Sequence, residues 1–193
     1  MNIGVLAIQG SVLEHRKVLE KLGAEVVEVR VPQDLEGISG IILPGGESTT
    51  QSKLLQEFGF FSILQQKISA GLPAWGTCAG AILLAKKVVG KNAPKTLAVM
   101  DITANRNWYG GQLDSFIAPI EIDFPHQKKV NLEGVFIRAP RMEIMPNSSV
   151  QVLAQYRDAP ILLQQGQMLA SAFHPELTAN TAVHEYFLSF CIA

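Results

Sequence analysis

The sequence predicts an α/β fold: a doubly wound, mostly parallel sheet in a single domain over residues 1–193, with an antiparallel extension in the second half. Three observations carry this. Short apolar segments rich in β-branched residues alternate with stretches of helical period through the first half. Several of those segments hold almost no charge, as strands covered on both faces do. The connections between them are short, which suits repeated β-α units with right-handed crossovers.

Ile3 to Ile8 reads as the first strand, ended by Gln9-Gly10. From Ser11 to Leu22 the apolar Val12, Val18, Leu19 and Leu22 fall near one face and Glu14, Arg16, Lys17 and Glu20 on the other, with Gly23 as the stop. Glu25 to Val29 and Gly40 to Leu43 are the next strands. Ser48 to Phe61 and Phe61 to Ala70 are helical, broken around Gly59, and Leu72 to Gly76 returns as a strand. Ala79 to Val89, rich in Ala and Leu, is expected as one helix. Beyond Thr96 the texture changes to short strands such as Phe116 to Ile122 and Gly134 to Ile137. Ile161 to Gln165 and Met168 to Phe173, parted by Gly166-Gln167, read as a hairpin, and Ala179 to Phe190 as the last helix.

The composition narrows the function classes. With 193 residues, 48% of them apolar, the chain builds a core without disulfide or metal staples. Sixteen Lys and Arg against 17 Asp and Glu leave no excess charge for a polyanion, so no nucleic-acid partner is expected. Cys78 and Cys191 are the only cysteines, too few for a disulfide framework and without zinc-site spacing; a reducing, cytoplasmic setting and no metal are expected. Met1 to Ile8 has no basic leader and no segment nears the ~18 apolar residues of a membrane helix, so neither secretion nor membrane insertion is expected.

Gly76-Thr77-Cys78-Ala79-Gly80 leaves a strand and enters a helix, the context in which a nucleophile elbow lifts one side chain above the sheet. A thiol there also sits at a helix N-terminus, where the macrodipole favours thiolate. The same residues equally suit a small buried hydrophobe, the commonest fate of a free cysteine. Of the four histidines, His15 lies in an amphipathic helix, His126 in a polar loop and His184 in the final helix. His174 ends an apolar strand and is followed by Pro175-Glu176. Strand side chains repeat every two residues, so His174 and Glu176 are expected on one side, with Pro175 stiffening the backbone between them. Glu176 would orient the imidazole as the acid of a Cys-His-acid triad. Cys78 and His174 are 96 positions apart, yet both fall at carboxyl ends of predicted strands, the edge where such sheets bind ligands.

Leu43-Pro44-Gly45-Gly46-Glu47-Ser48-Thr49-Thr50 again leaves a strand and enters a helix. It lacks a Gly-Lys-Ser/Thr ending, and Glu47 would repel phosphate, so a neutral or zwitterionic ligand fits better. An amide of Gly45-Gly46 and that of Ala79 are candidates for an oxyanion hole. An ordinary glycine turn capped by Ser48 is the alternative.

These motifs resemble class I, triad-type glutamine amidotransferases, within them the glutaminase subunits of pyridoxal 5'-phosphate synthases. The resemblance rests on residues 4–10, 43–50 and 76–80, on Asn105-Arg106-Asn107, Gln112-Leu113-Asp114-Ser115-Phe116 and Val135-Phe136-Ile137-Arg138-Ala139-Pro140, and on residues 171–178. It covers nearly the whole chain. It implies a flavodoxin-like sheet, no cofactor, and Cys78 attacking the side-chain amide of L-glutamine, with His174 protonating the departing ammonia and Glu176 orienting His174. It also implies glutamine held by Gly46, Glu47, Ser48, Arg106, Ile137 and Arg138, an oxyanion hole from Gly46 and Ala79, and Gln9 near the hole and the partner interface. The implied partner is a (β/α)8 synthase subunit in a large hetero-oligomer, which takes the ammonia and without which the glutaminase is largely idle. Three rivals stand beside this: another class I glutaminase with a different partner, a cysteine peptidase or stress protein on a similar sheet, and a non-catalytic scaffold with a vestigial triad.

Overall fold

The computed structural model describes residues 1–106 and 115–192. Its first half is built from strands β1 (Asn2–Leu6), β2 (Glu25–Val29), β3 (Gly40–Leu43) and β4 (Ala74–Thr77), and from helices α1 (Val12–Lys21), α2 (Ser48–Glu57), α3 (Phe60–Ser69) and α4 (Ala79–Leu84). Strands β5 (Ala85–Val89), β6 (Met100–Asn105), β7 (Ser115–Ile122), β8 (Val130–Ile137) and β9 (Arg141–Ile144) follow. The chain then forms β10 (Gln151–Tyr156), β11 (Ala159–Gln165), β12 (Met168–Ser171) and helix α5 (Ala182–Phe190).

Seven strands make the main sheet in the order β10-β11-β12-β4-β3-β1-β2. From β12 to β2 every pairing is parallel, while β10 and β11 add an antiparallel edge. The order of the parallel strands reverses between β1 and β3, which places a crevice at their carboxyl ends. β5, β6 and β9 form a small second sheet, and β7 pairs with β8 as a separate ribbon.

The parallel strands are apolar because helices cover both faces. Successive residues of β4 show it, since side chains alternate across a strand. Trp75 meets His15 of α1 edge-on at 5.4 Å and His184 of α5 at 4.7 Å. A Cβ on Gly76 would instead lie 2.4 Å from the Gly80 backbone in α4, so that helix packs on the opposite face. The α2 to α3 break falls where expected, with Gly59 in the left-handed region at φ 73°.

Four expectations need correction. The helix predicted over 79–89 ends at Leu84, and Ala85–Val89 is β5, paired to β6. Ala and Leu favour helix only to that point; Lys86 and Lys87 are exposed and Val88-Val89 brings strand propensity. β1 closes at Leu6, leaving Ile8 in the turn. β12 closes at Ser171 rather than Phe173, because Pro175 opens a 3-10 turn over Pro175–Leu177. The last helix begins at Ala182, after the Asn180 side chain accepts the Ala182 N–H.

Candidate active site

Strands β1, β3, β4 and β12 are contiguous in the sheet, and their carboxyl ends supply the candidate residues. β4 and β12 are direct neighbours, with Ser171 opposite Thr77. Residues 96 positions apart in sequence therefore leave adjacent strands side by side.

Cys78 sits at φ 49° and ψ −100°, a strained conformation for a side chain with a Cβ. The strain is held by fit. The Cys78 N–H donates to the Ser171 carbonyl at 2.8 Å, and Gly80 lies so close to β3 that a Cβ there would fall 1.9 Å from the Leu43 oxygen. The thiol is 7% exposed and leans toward the Ile137 carbonyl at 3.7 Å. This is the elbow that the Gly-Thr-Cys-Ala-Gly spacing predicts.

His174 and Glu176 meet as expected, with His174 Nδ1 2.8 Å from Glu176 Oε1. The cause differs from strand alternation. Glu176 lies in the 3-10 turn, which brings its carboxylate back under the imidazole. His174 Nε2 is buried without a hydrogen bond of ordinary geometry, next to Cys78 Sγ. Burial works to lower the His174 pKa, but the Cys78 sulfur and the Glu176 carboxylate outweigh it and raise it from 6.5 to about 10. Burial likewise opposes charge on Glu176, yet His15, His174 and Ser11 around it hold its pKa down at about 2. A thiol, an imidazolium and a carboxylate in this order are the parts of an acyl-transfer triad.

The loop after β3 presses on the imidazole. A Cβ on Gly45 would fall 2.3 Å from His174 Cε1, so only glycine lets the ring lie there. Gln9, at the end of β1, reaches the same loop and accepts the Glu47 N–H at 2.9 Å. Glu47, and not Ser48, caps α2: its carboxylate accepts the N–H groups of Thr49 at 3.0 Å and Thr50 at 2.7 Å. Two donors fit a carboxylate better than one hydroxyl at a helix N-terminus. Burial tends to raise the Glu47 pKa, and these hydrogen bonds bring it below the ordinary value. Arg106 also reaches Glu47, Nη2 to Oε1 at 3.2 Å.

A cleft of about 400 Å³ joins these groups, lined by Gln9, Gly46, Glu47, Ser48, Cys78, Ala79, Arg106, Ile137, Arg138 and His174, among others. Every sequence-predicted site residue is in that lining except Glu176, which lies behind His174 at 5% exposure. Arg138 enters from the end of β8 in left-handed backbone at φ 45°. The motif positions Asn107 and Gln112 to Asp114 lie outside the described residues. Among the described residues, no cluster of His, Cys, Asp or Glu is arranged to hold a metal ion, and no helix is long and apolar enough to cross a membrane.

Sequence reasoning missed four contributors. Ser11 Oγ donates to Glu176 Oε1 at 2.8 Å, although its position suggested only a helix start. Gln51, fully buried, donates to the carbonyls of Gln9 and Pro44 and so ties the first strand's tip to the glycine loop. His15 on α1 and His184 on α5 are both fully buried, and His15 Nε2 lies 3.6 Å from Glu176 Oε2.

Residues 5–193 match the model of the SNO glutamine amidotransferase family. The chain is 47% identical over 192 residues to pyridoxal 5'-phosphate synthase subunit PdxT of Pelotomaculum thermopropionicum, covering 100% of this chain and 96% of that one. It is 49% identical over 191 residues to the PdxT of Dictyoglomus turgidum, covering 99% of each. A crystal structure of a glutamine amidotransferase superposes with a TM-score of 0.90 at 43% identity, covering 99% of both chains. PurLQS from Thermotoga maritima shares the fold at 14% identity, with a TM-score of 0.69 over 98% of this chain and 97% of that one.

Proposed function

Because the chain belongs to the SNO glutamine amidotransferase family, we propose that it is the glutaminase subunit of a pyridoxal 5'-phosphate synthase, hydrolysing L-glutamine to L-glutamate and ammonia for that synthesis. The observation that carries the reading is the β4 to β12 adjacency, from which Cys78 and His174 emerge into one cleft with Glu176 behind.

The residues suggest the following course. Cys78 Sγ attacks the side-chain amide carbon of glutamine, and the charge that develops on the amide oxygen meets the backbone amides of Gly46 and Ala79. His174, its imidazolium stabilised by Glu176, gives its proton to the departing nitrogen, which leaves as ammonia. A thioester remains on Cys78. Water, deprotonated by His174, adds to it, and glutamate leaves as the thiol is restored. Glu47, Ser48, Arg106, Ile137 and Arg138, with Gly46, surround the space for the amino acid end, where arginine suits a carboxylate and carbonyl or carboxylate oxygens suit an ammonium.

Ammonia released into water is protonated and lost as a nucleophile, so the product is passed on directly. The acceptor in this reading is a separate (β/α)8 synthase subunit within a large hetero-oligomer in the cytoplasm, without nucleic acid or membrane. Residues 1–193 act as one glutaminase domain, with turnover that depends on docking.

The test is glutamate release from L-glutamine by this protein, alone and with a purified synthase subunit. Release that rises on mixing, together with pyridoxal phosphate formed from glutamine and loss of both in Cys78→Ala, is the expected result. Ammonia delivered only to a different synthase would move the chain to another class I partner. No release, with Cys78 inert to a glutamine-like alkylating analogue, would favour the scaffold reading.

A further inference from the structure

Two histidines that the reaction above does not use are buried behind the triad. His15, fully buried on α1, places Nδ1 3.1 Å from Nε2 of the fully buried His184 on α5. Its Nε2 lies 3.2 Å from Thr77 Oγ1 and 3.6 Å from Glu176 Oε2. Trp75 packs edge-on to both rings and closes the compartment. Glu176 Oε1 already receives His174 Nδ1 and Ser11 Oγ, whereas Oε2 is buried without a hydrogen bond of ordinary length.

The hydrogen count decides how the protons are arranged. If His15 carried its proton on Nδ1, Nε2 could take the Thr77 hydroxyl proton, but its lone pair would face the buried oxygen Oε2, which would be left with no donor of its own. With the proton on Nε2, His15 points a donor at Thr77 Oγ1 and Glu176 Oε2 together. His15 Nδ1 is then an acceptor, and His184 must donate from Nε2. That leaves His184 Nδ1 as a bare acceptor, and Nδ1 is the ring atom of His184 with no partner. An unpaired buried acceptor costs less than an unpaired N–H, so the bare Glu176 Oε2 and the bare His184 Nδ1 both favour this arrangement.

We infer that His15 is a positioning residue of the glutaminase triad, held as its Nε2–H tautomer by His184 so that it donates to the outer oxygen of Glu176. The inference rests on the glutaminase reading for its kinetic arm only. His15 acts through Glu176, which in turn fixes the His174 tautomer and its imidazolium.

The groups facing His15 are Glu176 and His174 from the 3-10 turn, His184 from α5, Thr77 and Trp75 from β4, and Glu14 from its own helix. Burial, the largest influence, lowers the His15 pKa, against Glu176 and with His174, so the ring is a neutral donor. Removing that donor raises the pKa of Glu176. The carboxylate is then held less firmly in the orientation that fixes His174, and kcat falls.

Two measurements test this. In the wild-type protein, nitrogen-proton correlation spectra of the histidine side chains read each tautomer without turnover. His15 and His184 both protonated on Nε2 is the expected result, and His15 protonated on Nδ1 overturns the inference. In the docked enzyme, His15→Leu is expected to lower kcat by roughly tenfold or more with KM little changed. His15→Gln, whose amide can offer a donor in place of Nε2, is expected to restore most of kcat. A folded His15→Leu protein with wild-type kcat, or a His15→Gln protein no better than His15→Leu, would overturn it too. The tautomers decide the matter if His15→Leu does not fold, and a wild-type protein inactive on glutamine would sink the glutaminase reading separately.

Discussion

The Ser171 carbonyl accepts the Cys78 N–H at 2.8 Å across two neighbouring parallel strands, and the side chain of Ser171 receives the Trp75 indole N–H at 3.2 Å. One residue of β12 thus holds both the strained turn of the nucleophile and the aromatic residue that roofs the two buried histidines. The elbow at Cys78 and the strand that leads to His174 are tied at one residue, and the loop at Gly45 closes on the imidazole from the other side.

Gly45→Ala tests how tightly that geometry is shared. Its Cβ would fall 2.3 Å from His174 Cε1, and the ring must shift. Glutamate release should fall by about tenfold or more, since small misplacements of a reacting group carry large rate costs. The strain of overpacking should cost about 1–3 kcal/mol in a denaturant titration. Unchanged turnover would show that the imidazole does not need its place above the loop.

The His174 pKa of about 10 owes its rise to the Cys78 sulfur ahead of Glu176. In Cys78→Ala it should fall, because burial, which lowers it, then meets only the carboxylate. Proton spectra followed from neutral to alkaline pH read both values, and equal titration in the two proteins would separate the thiol from the imidazole.

Glu47 has two tasks, as the cap of α2 and as the partner of Arg106 in the cleft. Glu47→Ala should lower stability by ~1 kcal/mol through the lost cap, seen as a drop of about 2–4 °C in Tm. It should also raise KM for glutamine by about tenfold, the scale of one charge-assisted hydrogen bond. Both effects in one variant are expected; a lower Tm with unchanged KM would confine Glu47 to the cap.

Stability should peak near pH 6.5 and fall on both sides, for opposite reasons. His184 has its pKa lowered by burial to about 3. Below the unfolded value of about 6.5 the unfolded chain takes up a proton that the folded chain refuses, and stability is lost as pH drops toward 3. At about pH 5 the loss is on the order of 2 kcal/mol. His174, raised to about 10, has the other sign: its contribution is complete below 6.5 and declines as pH rises through 10. Glu176, lowered to about 2, adds a further loss only below its unfolded value of 4.5. Denaturant midpoints across this range check the dome, and a His184→Phe protein should lose part of its acid side.

The parallel half of the sheet was legible because Ile41, Ile42 and Leu43, like Trp75, sit in short uncharged runs bounded by glycine and proline. The site was legible where chemistry and turn residues coincide, as at Cys78 and His174. The boundary at Leu84 was not, since a helix passes into a strand without a breaker. Ser11 and His15 gave no local sign of their roles: their partners Glu176 and His184 lie 165 and 169 positions away. The His174 to Glu176 contact was predicted from the wrong geometry, because the chain leaves the extended form after His174 and the 3-10 turn that Pro175 begins carries Glu176 back to the ring.

β12 is made from residues 168–171, yet it lies inside the sheet, between β11 and β4. A nascent chain therefore displays Cys78 well before the strand that pairs beside it leaves the ribosome. Until that strand threads into its gap, the thiol has neither the Ser171 carbonyl that holds its turn nor an imidazole beside it. A chain that has not yet gained residues 168–176 holds the cysteine but lacks the strand, the histidine and the glutamate that face it.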